Sequence, residues 1–136
     1  MKYWLLKSEP STWSWDDQIK EKIAIWDGVR NYQARNNLMR MQVNDLCFFY
    51  HSVNEKKIVG IVSVSKEHYI DPTDKTKKFV AVDVKTKKSL KNPITLKQIK
   101  KEKKLSHLAL VRQSRLSVMP IDKISWDLIC KLGSLQ

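Results

Sequence analysis

At 136 residues, 42% of them apolar and five of them tryptophan, the chain is too hydrophobic to be disordered and long enough for one domain with its own core. Its longest apolar run is far below a membrane span. The start of the chain has too short an apolar block, with Lys7 and Glu9 following at once, to serve as a targeting signal, so a cytoplasmic location without a membrane partner is expected. A net charge of +12 attracts polyanions.

Residues 3–6 read as a first strand, ending at Lys7-Ser8-Glu9-Pro10, where Pro10 stops regular extension. Ser14 with Asp17 resembles a capping box, with Asp in place of the usual Glu or Gln. A helix follows through Gln18, Ile19 and Lys22 and ends before Trp26-Asp27-Gly28. Asp27-Gly28 is a turn signal, and Asn31 is placed to cap a short helix over residues 32–39. Leu38, Met41 and Val43 close that segment. The turn displays Trp26, Arg30 and Asn31 close together: a flat ring for a planar ligand, a guanidinium for an anion, a carboxamide for a polar edge. Core burial of Trp26 is the competing reading, since most tryptophans are largely buried.

Asn44-Asp45 turns the chain into residues 46–51, an apolar and aromatic strand buried on both faces. Its polar end, Tyr50, His51 and Ser52, is placed to line a pocket mouth. A turn at residues 53–56 leads to a strand over 57–65, where Gly60 signals a bulge or a close approach. The strand continues irregularly to Ile70, and Asp71-Pro72-Thr73-Asp74 makes a loop. Residues 79–84 alternate as a strand. Thr95 with Gln98 forms a second capping box, opening a helix with Leu96, Ile99 and Leu105 inward. Residues 108–111 lead to Arg112-Gln113-Ser114-Arg115. Residues 116–121 form a strand kept to an edge by Pro120. Ser125 caps a final helix over 126–132, stopped by Gly133. Five or six strands among short helices imply one α+β domain around a small curved sheet or barrel.

Residues 75–104 hold twelve lysines against Asp83 and Glu102, whereas all five arginines (Arg30, Arg35, Arg40, Arg112 and Arg115) lie outside that run. Arginine suits planar, bidentate recognition; lysine acts as a point charge. Enzyme signatures are absent: no glycine-rich phosphate loop, no nucleophile elbow, no metal motif. Ser8, Glu9 and His51 could form a hydrolytic set, but nothing in the sequence puts them in register. Cys47 and Cys130 lack metal-ligand spacing and read as buried thiols in a reducing compartment. His51, His68 and His107 are scattered. No cofactor or metal is expected.

Several segments in order resemble the EVE domain family: WLLKSEP at 4–10, WDGVRNYQARN at 26–36, FFYHS at 48–52, Val59-Gly60-Ile61, and RQSRLSVMP at 112–120. The resemblance covers nearly the whole chain. It implies a single domain over residues 1–136 with a PUA-like pseudo-barrel, five to six mostly antiparallel strands and short surrounding helices. It also implies a non-catalytic pocket for a modified base in DNA or RNA. Under it, Trp26 would stack one face of the base, and Tyr50 or His51 would close the other. Asn31 would read a Watson–Crick edge, with Lys7, Ser8 and Ser52 at the strand ends supplying further contacts. Arg30 and Arg112 would hold flanking phosphates, and Ser114 would reach base or backbone. Val53 after the His-Ser pair and Met119 before the proline depart from the family's pattern.

Because pairing hides a base edge, such a pocket needs an unpaired or flipped nucleotide. The resemblance makes 5-modified cytosine the first expected ligand, with a modified RNA base as the other. The expected partner is nucleic acid, bound by a monomer. Two rivals remain: an enzyme acting on a nucleotide through His51, and a regulator binding a free nucleotide or small anion through Trp26, Arg30 and Arg112.

Overall fold

In the computed structural model, which describes residues 1–134, six strands form one sheet. They are β1 (Tyr3–Ser8), β2 (Ile23–Trp26), β3 (Leu46–His51), β4 (Lys57–Ile70), β5 (Val80–Thr95) and β6 (Val118–Ile121), in the spatial order β2-β5-β4-β3-β1-β6. Around them lie α1 (Trp15–Glu21), α2 (Tyr32–Arg40), α3 (Leu96–Lys101), α4 (Ala109–Arg112) and α5 (Lys123–Leu132), with a 3-10 turn at Lys103–Leu105. No helix among the described residues is long and apolar enough to cross a membrane.

β1 and β3 are parallel, and the other neighbours are antiparallel. That one parallel pair matters most for function. It brings two C-terminal strand ends side by side, Lys7 beside Tyr50 and Ser8 beside His51. Leu5, Leu6, Phe48 and Phe49 are fully buried, as a strand covered on both faces requires. Trp126 of α5 covers one face, stacking on Phe48 and Tyr3. β6 is an edge strand, where Pro120 leaves no missing rung in the sheet interior.

Gly60 combines both features expected of it. The ladder shifts register between Ile58 and Gly60, and a Cβ there would fall 2.1 Å from the Trp15 ring. That ring is fixed by its indole N–H donating to Ser89 Oγ at 2.8 Å. The Ser14–Asp17 and Thr95–Gln98 capping boxes both form.

Three expectations are corrected. The first helix stops at Glu21, because Lys22 adopts φ 67° and turns the chain into β2, a strand absent from the sequence reading. β5 does not end near Val84 but continues through the lysine-rich segment to Thr95, paired with β4. The last helix begins at Lys123 and is capped by Asp122, whose carboxylate accepts the Ser125 N–H at 3.1 Å; Ser125 sits inside the first turn.

Candidate functional site

Alternation along β1 and β3 sends Lys7 and Tyr50 to one face and Ser8 and His51 to the other. On the first face, Lys7 Nζ donates to the Ser114 carbonyl at 2.9 Å and lies 5.7 Å from the centre of the Tyr50 ring. Its backbone N–H donates to the Ser117 carbonyl at 2.9 Å. Lys7 thus ties the segment before β6 to the strand ends. Partial burial lowers its pKa from the ordinary lysine value. Tyr50 is buried, and its hydroxyl has no hydrogen-bond partner among the described residues. Burial pushes its pKa up to about 12, so the phenol stays a neutral donor.

The other face is closed. Ser8 Oγ donates to the Trp13 carbonyl. The Trp15 backbone N–H donates to His51 Nε2 at 2.9 Å, so Nδ1 carries the proton and donates to Glu55 at 3.2 Å. Ser8 and His51 therefore do not bond to one another, and no nucleophile–base pair forms between them. The Ser52 N–H donates to the Ser8 carbonyl at 2.9 Å, fastening the two strand ends. Phe49 fills the same face, with Trp15, Trp26 and His51 around it at ring separations of 5.0, 5.4 and 5.8 Å.

Trp26 is 7% exposed and stands edge-on to Phe49. Beyond it the chain turns at Gly28, φ +78°, a region where a Cβ is strained. The Gly28 N–H donates to Asp71 at 2.8 Å, and Arg30 pairs with the same carboxylate oxygen at 3.1 Å. Arg30 also donates to Thr73 Oγ1 at 2.8 Å and lies over the Phe79 ring. Burial pushes the Asp71 carboxyl upward, but bonds from Thr73, Gly28 and Arg30 outweigh it and hold its pKa low. Asp71 is the organiser that sequence reasoning missed. Asp71 bonding forward to Thr73 is an Asx-type turn, a local signal that shows a loop but not its distant partner.

Asn31 caps α2 as expected, its Oδ1 accepting the Ala34 N–H at 2.9 Å. That leaves its NH2 without a hydrogen bond among the described residues. Asn31, Gln33, Arg112, Gln113, Ser114, Arg115 and Leu116 line an open cleft of about 310 Å3. Arg112 is oriented by Nε donating to the Ser106 carbonyl at 3.0 Å. Its terminal nitrogens, the Arg115 guanidinium and the Ser114 hydroxyl have no hydrogen-bond partner among the described residues.

The EVE domain model matches residues 2–132. The chain belongs to the EVE domain family. Thymocyte nuclear protein 1 of Mus musculus is 34% identical over 98% of this chain and 74% of its own length. The solved structure of Rpa0253 from Rhodopseudomonas palustris is 47% identical, with a TM-score of 0.93 over 98% of this chain and 94% of that one. The human THYN1 protein in complex with 5-methylcytosine-containing DNA is 30% identical, with a TM-score of 0.91 over 100% and 99%. The six-stranded, mostly antiparallel sheet with short surrounding helices is the PUA-like pseudo-barrel of this family.

Of the ten residues singled out from sequence, this EVE domain brings Asn31, Arg112 and Ser114 into one cleft and ties Lys7 to it through the Lys7–Ser114 bond, with the buried Tyr50 ring near the Lys7 ammonium. Ser8, His51 and Trp26 lie on the closed face. Arg30 turns to Asp71, and Ser52 is half-buried at the strand end. Gln33, Gln113 and Arg115 were missed as lining residues. Their signal was adjacency to Asn31 and Ser114, which sequence alone does not distinguish from solvent exposure. Among the described residues, no carboxylate lines the cleft. Amide, hydroxyl and guanidinium donors together suit an anionic ligand with a hydrogen-bonding edge.

Proposed function

We propose that this EVE domain is a non-catalytic nucleic-acid reader that accepts one unpaired or extruded base and prefers a modified one. The observation that carries this reading is the cleft, where the free Asn31 amide, the Ser114 hydroxyl and two guanidinium groups converge without a competing carboxylate. The ligand class is supported by the human THYN1 relative, which is in complex with 5-methylcytosine-containing DNA. Arg112 and Arg115 would hold phosphates, Asn31 and Ser114 would read the base edge, and the Lys7 stem would flank the ring, with the buried Tyr50 behind it. Trp26, only 7% exposed and edge-on to Phe49, would brace the closed face rather than stack on the base. One copy of the chain carries all these groups, so a monomer suffices. Commitment of Ser8 and His51 to backbone partners supports binding without turnover.

Magnitudes set what must do the discriminating. Burying one added methyl is worth about 0.8 kcal/mol, a several-fold preference. Stronger selection needs a hydrogen bond that the wrong base leaves unmade. The test is a titration of single-stranded oligonucleotides that differ at one position, bearing cytosine, a 5-modified cytosine or a modified adenine, at moderate salt. The expected result is a clear preference for 5-modified cytosine. Equal affinity across the panel, with comparable binding of free nucleotides, would replace this reading by a free-nucleotide regulator.

A further inference from the structure

A second cleft, of about 450 Å3, opens between the β3–β4 turn and α3. Its banks are fastened by the Leu96 N–H donating to the Lys56 carbonyl at 2.8 Å and by pairing of Lys57 with Thr95. Lys56 stands on one bank, and Lys97, Lys100 and Lys101 on the other. The three α3 lysines share a helix face at three- and four-residue spacing, while Ile99 is buried on the opposite face. All four lysines are exposed, and none makes an ion pair among the described residues. The one carboxylate in the cleft, Glu55, is engaged by His51 and Lys57, each at 3.2 Å. The cleft is therefore a concentrated positive surface, and the one anion that the described residues place in it is already paired.

Its location gives that charge a direction. Glu55 follows the same strand end that carries Tyr50 and His51. α3 packs on α4, which ends at Arg112 in the first cleft, and Arg112 is held by the Ser106 carbonyl just beyond the Lys103–Leu105 turn. The exposed lysines of α3 and the 3-10 turn thus sit on elements that lead in sequence and packing toward the first cleft.

We propose that the β3–β4/α3 cleft is a phosphodiester track, holding the strand that flanks the base read in the first cleft. This rests on the nucleic-acid reading above. Lysine ammonium groups fit this role, because they neutralise phosphates without reading bases.

The test compares the parent with a K97Q/K100Q/K101Q variant and with a K85Q/K87Q/K88Q control of equal charge change on β5. Affinities for three- and twelve-nucleotide single strands are measured across a salt series. The α3 variant should lose tenfold or more affinity for the long strand at low salt and little for the short one. Its log–log salt slope should be shallower by about 2, near 0.7 for each phosphate contact removed. The control should keep most of the parent slope. Equal losses in both triple variants would reduce the track to overall charge and overturn it. So would a variant that keeps long-strand affinity but loses binding to phosphatidylserine vesicles, which would make the cleft a membrane-facing surface. If the parent shows no base preference yet the α3 variant alone flattens the slope, the track stands and the base-reading proposal fails. If the parent binds no oligonucleotide, both fail.

Discussion

On one face of the paired β1–β3 ends, Ser8, His51, Phe49 and Trp26 are closed into the core, with the Ser8 hydroxyl and both His51 ring nitrogens committed to backbone or side-chain partners. On the other, Lys7 anchors Ser114, and the Asn31, Ser114, Arg112 and Arg115 side chains are left with donors to give. The residue types on the two faces are equally suited to ligand binding. What separates them is whether the fold has already used their hydrogen bonds. A polar group satisfied internally stabilises the domain. One left unpaired at an open cleft adds affinity only when a ligand arrives.

The closed face should give the largest effects. Trp26→Ala removes a ring that is 7% exposed and should lower stability by about 3–5 kcal/mol in urea unfolding. A loss below 1 kcal/mol would mean that the ring is not core and that the two faces are less distinct than described. Trp26→Phe keeps most of the packing and isolates the ligand question. Its oligonucleotide affinity should stay near the parent's, whereas a drop of about 1–3 kcal/mol would make Trp26 a stacking ring.

His51→Ala comes next. It leaves the Trp15 N–H without its acceptor and should cost about 1–3 kcal/mol of stability. Base preference of the folded variant should not change. A loss of preference without a loss of stability would move His51 to the ligand side.

Asp122 offers a satisfied group on the surface, and so a smaller effect. Partial burial raises its pKa, but hydrogen bonds with His107 and Ser125 dominate and bring it to about 2. A depressed carboxylate stabilises the fold above its unfolded value near 3.9, and that contribution disappears as pH falls through about 2. Asp122→Ala should therefore cost about 1 kcal/mol at pH 7, as loss of a helix cap does. The gap from the parent should close between about pH 4 and pH 2 in thermal melts. A gap that is constant over that range would remove the ionised cap from the account.

The smallest stability effect should accompany the most specific functional one. Asn31→Ser keeps a capping oxygen for Ala34 but deletes the free amide. Stability should change by only a few tenths of a kcal/mol, while the preference for a modified base falls toward that for the unmodified strand. An unchanged preference would take Asn31 out of the reading edge.

What the sequence disclosed follows from how local each signal is. The Asn31 cap, the two capping boxes and the Gly60 close approach involve neighbours or a missing Cβ, and all were legible. β2 was not, because Lys22 makes the positive-φ turn that glycine usually advertises, and the four strand residues carry two exposed isoleucines. The far half of β5 is polar and lysine-rich, so it reads as a solvated run until its pairing with β4 is seen. Within the site, the sequence identified residues capable of binding. It could not show that Arg30 is taken by Asp71, 41 positions away, or that His51 is taken by Trp15. Those commitments are tertiary, and they decide which face remains open.

The most direct measurement is chemical-shift mapping of the 15N-labelled domain with a short single strand containing one 5-methylcytosine, compared with the unmodified strand. The Asn31 side-chain amide and the backbone N–H groups of Gln113, Ser114 and Arg115 should shift, with a difference between the two strands concentrated there. Shifts centred on the Trp15, Trp26 and His51 cluster, with the Asn31–Ser114 cleft unmoved, would contradict the account.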